Sequence, residues 1–301
     1  MRILVTGAGG LVGSALVPAL QVHGHTVARL VRTFPRLEER EIAWDPDHQS
    51  IATPALEGYD AVIHLAGENI ASGRWTAAKK ARIYRSRIQG TRLLCEALLQ
   101  LVTPPQTLIC ASAIGYYGHQ GERFLQETSP SGNDFLAVVC RDWEATASLA
   151  TQRGIRVVHL RLGMVLSAAG GALAKMLFPF RFGLGGRLGN GKQYMSWITL
   201  EDVIGIITYI LERQTLHGPV NAVAPEPVTN AVFTQTLGTV LRRPTFCPLP
   251  AMAARLLFGE MADALLLASS RVQPTQLLKA GYPFRYPILH DALRHLLGKP
   301  A

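Results

Sequence analysis

Thr6, Gly7, Gly10 and Gly13 stand in the spacing T-G-x-x-G-x-x-G directly after the aliphatic run Ile3-Leu4-Val5. Glycine permits left-handed backbone and close approach of another group. In this spacing Gly7 serves a tight turn, Gly10 lets backbone come against a pyrophosphate, and Gly13 lets the next helix pack on the strand. The helix begins at about Leu11 and Val12. Their free N–H groups and the positive end of the helix dipole therefore meet at one point. Holding the phosphates of a dinucleotide is the chemistry expected of Gly7, Gly10, Leu11, Val12 and Gly13.

The end of the second strand selects the dinucleotide. An NAD site usually places Asp or Glu there for the ribose 2′-hydroxyl, whereas Arg accommodates the 2′-phosphate of NADP. Thr26–Val31 runs into Arg32-Thr33, and no carboxylate occurs between Leu11 and Leu37. Arg32 is the expected 2′-phosphate ligand, and NADP(H) the expected cofactor.

Such a site needs a sheet and helices to hold it. Ile3–Thr6, Thr26–Val31, Ala61–Leu65, Leu108–Ala111 and Val157–Leu160 are short, nearly all-aliphatic runs separated by helix-length segments, the first at Leu11–His23. Strands of that kind are buried on both faces, and their alternation with helices implies βαβ units on a parallel sheet. The expected fold is α/β, a Rossmann-type doubly wound sheet spanning residues 1–165, with a further strand at about 218–224. Residues 166–301 are expected to form substrate-facing loops and a smaller, mostly helical lobe. Its helices are read at Leu200–Leu211, Asn230–Leu241, Met252–Phe258, Pro274–Ala280 and His290–Leu297. Ligands of such sheets bind at the carboxyl ends of the strands, so the lobe is expected to roof that crevice.

Thirty Lys and Arg against 21 Asp and Glu leave a formal charge of +9. That excess raises the question of an anionic partner, but no basic run, aromatic stacking platform or recognition-helix motif accompanies it, so no nucleic acid is expected. The longest strongly apolar run, near Val203–Leu211, falls far short of the roughly 18 residues that span a bilayer, and no membrane partner is expected. Cys95, Cys110, Cys140 and Cys247 are too widely spaced for a zinc knuckle or a redox pair. No metal site is expected, and a cytoplasmic location is.

These motifs resemble the extended short-chain dehydrogenase/reductases of the NAD(P)-dependent epimerase/dehydratase type. The glycine motif, Asp60-Ala61-Val62-Ile63-His64-Leu65-Ala66-Gly67 and Gly90-Thr91-x-Leu93-Leu94-x-Glu96-Ala97 carry the likeness. A narrower resemblance, to an atypical epimerase-family group, rests on Glu68-Asn69-Ile70, Arg74-Trp75, Gly115-Tyr116-Tyr117-Gly118 and Trp143-Glu144. It extends through Pro179-Phe180-Arg181-x-Gly183-Leu184-Gly185-Gly186, Trp197-Ile198 and Asn221-x-Val223-Ala224-Pro225. The resemblance implies that Leu65, Ala66 and Gly67 lie along the adenosine and pyrophosphate. It also places Arg87 where ordinary members carry Asn, either holding a phosphate or ribose or lying on a helix surface.

The family's chemistry uses a Ser or Thr, a Tyr, and a Lys four residues after the Tyr. Here that frame reads Cys140-Arg141-Asp142-Trp143-Glu144, with neither Tyr nor Lys. Counting back from the Tyr-Gly pair puts Ala113 or Ser112 in the serine place. The candidate replacements are Ser112 to hold a substrate oxygen in the crevice, Tyr116 or Tyr117 to supply a phenol, and Glu144. The last is either a proton carrier and ribose ligand or a capping, ion-paired carboxylate. Cys140 would need a cationic neighbour to act as a nucleophile, and an inert buried thiol is the simpler expectation. The segment Phe178–Trp197 is the expected substrate-facing loop. Arg181, Arg187, Lys192 and Gln193 suit it to a small anionic or sugar-like substrate, with Phe180, Tyr194 and Trp197 as apolar walls. His64 and His159, inside strand-like runs, are expected to be packed. Two readings follow: an NADP-dependent oxidoreductase or epimerase, and an NADP-binding regulatory protein without turnover. Oligomeric state is not legible in the sequence.

Overall fold

A computed structural model of the chain describes residues 1–32, 35–36, 38 and 40–299. Strands β1 (Arg2–Thr6), β2 (Thr26–Val31), β3 (Glu41–Asp45), β4 (Ser50–Ile51), β5 (Ala61–His64) and β6 (Thr107–Ala113) are threaded by helices α1 (Leu11–Val22) and α2 (Ala77–Leu99). After the two-residue strand β7 (Phe124–Leu125) come α3 (Phe135–Ala147), β8 (Arg156–Leu162), β9 (Met164–Ser167) and α4 (Gly171–Arg181). Then follow β10 (Tyr194–Met195), β11 (Trp197–Thr199), α5 (Leu200–Glu212), β12 (Gly218–Ala222) and β13 (Val228–Thr229). The chain closes with α6 (Asn230–Leu241), α7 (Ala251–Phe258), β14 (Arg271–Val272), α8 (Thr275–Lys279) and α9 (Leu289–Leu296).

Eight strands form one sheet in the order β12-β8-β6-β5-β1-β2-β3-β4, parallel throughout except for the β3–β4 pair. The strand order reverses between β1 and β5. There the glycine turn after β1 and Leu65-Ala66-Gly67 after β5 lie side by side, at the point where doubly wound sheets bind ligands.

The aliphatic runs work because alternate residues feed two cores. Leu4, Leu30, Val62 and Leu108 meet Leu94 and Leu98 of α2 with Trp143 and Ala147 of α3. Ile3, Val5, Ile63, Ile109 and Val158 meet Leu16 and Leu20 of α1 with Val203, Ile206 and Ile210 of α5. Each such side chain, wholly removed from water, contributes about 1.5–3 kcal/mol. A third cluster holds the lobe together: Leu173, Leu177 and Phe180 of α4 with Phe233 and Leu237 of α6 and Leu289 and Leu293 of α9, around Trp197.

Two stretches of the chain depart from the sequence reading. β3 and β4 extend the sheet beyond β2, in a stretch with no strand pattern of its own. Their anchor is the buried Glu41, which pairs with Arg29 at 3.1 Å and Arg36 at 3.5 Å. Helix α4 occupies part of what reads as a loop. Its glycine start and Pro179 in the last turn mask the helical spacing of Leu173, Leu177 and Phe180.

Candidate functional site

Gly7 adopts φ +70°, and a Cβ there would stand 2.7 Å from the carbonyl carbon of Leu65. A Cβ on Gly13 would overlap the Gly7 carbonyl oxygen, so both glycines are demanded by close packing of the turn. Gly10 differs: it is exposed and is the N-cap of α1. No side chain caps that helix and no acid lies in its first turn, which leaves the N–H groups of Leu11, Val12 and Gly13 facing outward. An uncapped helix start of this kind is an anion site.

The strand end beside it is held from beneath by a buried relay. Thr6 Oγ1 accepts the N–H groups of both Leu65 and Ala66 at 3.2 Å, and its own hydroxyl donates to His64 Nδ1 at 2.7 Å. His64 Nε2 then donates to Thr91 Oγ1 at 2.9 Å, which also accepts Trp143 Nε1–H at 2.8 Å. Burial pushes the His64 pKa down to about 4, so the ring is neutral and serves as a spacer of fixed tautomer. His159 is buried too.

Arg32 is exposed, directly after the end of β2. Arg87 is more deeply set. Its guanidinium lies against Gly67, where an added Cβ would come 3.2 Å from Cζ, and 5.0 Å over the Trp143 ring. Nη1 donates to the Glu68 carbonyl at 3.1 Å and the Ile83 carbonyl at 3.2 Å. Nε and Nη2 have no acceptor among the described residues, and burial lowers the Arg87 pKa. A desolvated guanidinium with unspent donors beside an uncapped helix start is a fit for a phosphate-bearing ligand. The residues present therefore suit a dinucleotide.

The four candidates for chemistry converge on a residue that the sequence reading passed over, Arg161 of β8. Glu144 grips it with two bonds of 2.8 Å, Oε1 to Nε and Oε2 to Nη2. Its Nη1 donates to Tyr117 Oη at 2.9 Å and to the Glu127 carbonyl at 3.1 Å. Its Cζ sits 3.5 Å over the Tyr116 ring. Tyr117 in turn donates to Asn221 Oδ1 at 2.8 Å. Burial works against the Arg161 charge, but the Glu144 carboxylate outweighs it and holds the pKa above its usual value.

This geometry corrects the expectation for Ser112 and decides between the two readings of Glu144. Ser112 does not offer its hydroxyl to the crevice: it is buried and donates to Glu144 Oε1 at 2.7 Å. Glu144 is an ion-paired carboxylate locked to Arg161. Tyr117 is fully buried, and that burial pushes its phenol up to about 12, away from proton transfer near neutrality. Tyr116 is partly exposed, and its hydroxyl has no protein partner among the described residues. Cys140 is a buried thiol pushed up to about 11 by desolvation. A charged residue inside Val157-Val158-His159-Leu160-Arg161-Leu162 was the signal for Arg161, because a buried guanidinium demands a partner.

The substrate-facing segment also changes. Phe180 and Trp197 are core residues of the lobe, not walls of an open loop. Gln193 is buried, its amide donating to the carbonyls of Leu188 and Leu266. Lys192 and Arg187 are both exposed. Arg181 lines a cavity against Leu241 of α6 and Leu297 beyond α9. Tyr194 lies under Arg271, whose Cζ is 4.4 Å from the ring centre. Among the described residues no group of three His, Cys, Asp or Glu could hold a metal, and no helix is long and apolar enough to cross a membrane.

Comparison with known proteins agrees with this architecture. The NAD dependent epimerase/dehydratase family matches residues 3–223, and a domain of unknown function, DUF1731, matches residues 249–296. The chain is 44% identical over 298 residues to epimerase family protein Mb2239 of Mycobacterium bovis, covering 99% of this chain and 98% of that protein. The crystal structure of human epimerase family protein SDR39U1 (isoform 2) with NADPH superimposes with a TM-score of 0.91 at 35% identity, covering all of both chains. The crystal structure of a nucleoside-diphosphate sugar epimerase from Corynebacterium glutamicum matches with a TM-score of 0.81 at 38% identity, over 99% of this chain and 58% of that one. With its glycine turn, sheet order and full-length relatives in agreement, the chain belongs to the NAD-dependent epimerase/dehydratase family.

Proposed function

We propose that the chain is an NADP(H)-dependent oxidoreductase or epimerase acting on a small anionic or sugar-like substrate. The observation that carries this reading is the cradle at the β1–β5 switch point. There an uncapped α1, the glycines packed beneath it, and Arg87 with unspent donors face one groove. The human relative was solved with NADPH, which supports the choice of cofactor. In this reading Gly7, Gly10, Leu11, Val12 and Gly13 bind the pyrophosphate, Arg32 the 2′-phosphate, and Arg87 a phosphate or ribose. Leu65, Ala66 and Gly67 present backbone along the adenosine and pyrophosphate. The bound cofactor would supply or accept a hydride.

Proton handling falls to Tyr116, whose hydroxyl is uncommitted and whose ring is fixed on Arg161. Glu144, Ser112, Tyr117 and Asn221 position that guanidinium. A second reading, a cofactor-binding regulatory protein, is favoured by one specific observation. A thiol held protonated occupies the family's tyrosine place, and an ion-paired carboxylate its lysine place.

Incubation with NADPH deuterated at C4 and a broad metabolite pool tests the first reading. Deuterium appearing in a pool member, and lost in Tyr116→Phe, is the expected result. Bound cofactor with no transfer to any pool member contradicts it in favour of the second reading.

A further inference from the structure

The lobe carries a surface that cofactor chemistry does not use. Phe178 of α4 and Phe182 just after it are 72% and 69% exposed, with ring centres 5.1 Å apart. Leu184 follows, 63% exposed, its N–H bonded to the Pro179 carbonyl at 2.9 Å. The N–H of Cys247 donates to the Gly185 carbonyl at 3.2 Å, which joins the segment carrying Phe246, 80% exposed, to the one carrying Leu184. Four large apolar side chains thus form one exposed crest, of a kind that folded proteins rarely leave uncovered.

The same α4 end borders a cavity of about 300 Å³ lined by Arg181, Arg243 and Lys299, with Leu241 and Leu297. Arg243 Nε donates to the Arg181 carbonyl at 2.9 Å, which ties the two cation-bearing segments together. No carboxylate lines the cavity, and none lies within ion-pair distance of these three cations among the described residues. An apolar crest and an unneutralised cationic cavity, side by side, call for a partner that is both apolar and anionic.

We propose that this face docks on the surface of an anionic phospholipid bilayer. The aromatic crest enters the headgroup–acyl boundary, and the cavity takes a lipid phosphate. Aromatic rings favour that boundary, and cations at the surface are drawn by its negative potential. The formal charge of +9 adds long-range attraction of the same sign. Because no described helix can span a bilayer, the association is peripheral. Charge complementarity selects this occupant over a second copy of the chain, which would bring +9 against +9.

The full chain is sedimented with vesicles of phosphatidylcholine plus phosphatidylglycerol, and with phosphatidylcholine alone, at physiological ionic strength. Binding at least about tenfold stronger to the anionic vesicles is expected. The variants Phe178→Ser/Phe182→Ser and Arg243→Glu/Lys299→Glu are each expected to weaken it about tenfold, with NADPH affinity unchanged. Equal binding to both vesicles overturns the proposal. So does anionic binding that the phenylalanine variant leaves intact, since diffuse charge then suffices. Inorganic phosphate bound in the cavity without vesicle binding also overturns it. So does a dimer, seen by light scattering, that the phenylalanine variant splits.

Discussion

Arg161 is 3% exposed, and each of its three guanidinium nitrogens has an acceptor. Taking away one partner of such a pair strands the other charge, at a cost of about 3–5 kcal/mol, whereas removing both costs much less. Arg161→Met is therefore expected to lose most of that stability in urea unfolding, and Arg161→Met/Glu144→Gln to recover a large part. Equal losses in the two would mean that the pair is not the organiser of the network. His64 gives a pH signature. The unfolded chain binds its proton at about 6.5 and the folded chain only at about 4, so between those values the unfolded state holds more protons. Stability should fall as pH drops from 6.5 to 4, by up to about 3 kcal/mol from this residue. Urea titrations of the wild type and His64→Gln across that window check it: a slope unchanged by the substitution contradicts the assignment. At this scale the tight packing of Gly7 and Gly13 was legible, because local spacing sets it. Arg161, Asn221 and the loss of the Ser112 hydroxyl to Glu144 were not, since residues far apart in sequence meet only across the sheet.

In the proposed reading, the turn between β1 and α1 is the element on which cofactor binding depends. Gly13 faces the Gly7 carbonyl so closely that any side chain must push the helix off the strand. Gly13→Ala is expected to destabilise by about 1–3 kcal/mol and to weaken NADPH at least about tenfold. Gly9→Ala, whose Cβ would meet nothing within 4 Å, should fold as the wild type does. Calorimetric titration with urea melts distinguishes the two, and a Gly13→Ala protein that binds normally would contradict the packing account. The strands with continuous aliphatic runs, and helices α5 and α6, could be read from pattern alone. β3 could not, because it hangs on the Glu41 contacts with Arg29 and Arg36. Helix α4 was hidden by a proline that its last turn tolerates.

Taken as a whole, the molecule gathers part of its positive charge in two places. In the proposed reading Arg32 and Arg87 border the groove at the switch point, while Arg181, Arg243 and Lys299 line one cavity of the lobe. The 2′-phosphate is the one group that separates NADPH from NADH, and the end of β2 offers it a solvent-reaching guanidinium and no carboxylate. Binding of the two cofactors should be compared by calorimetry in the wild type and in Arg32→Ala. NADPH at least about tenfold tighter than NADH, a difference of about 1.4 kcal/mol, with most of that gap erased in the variant, is the predicted result. Equal affinities in the wild type, or a preference that survives Arg32→Ala, would contradict it.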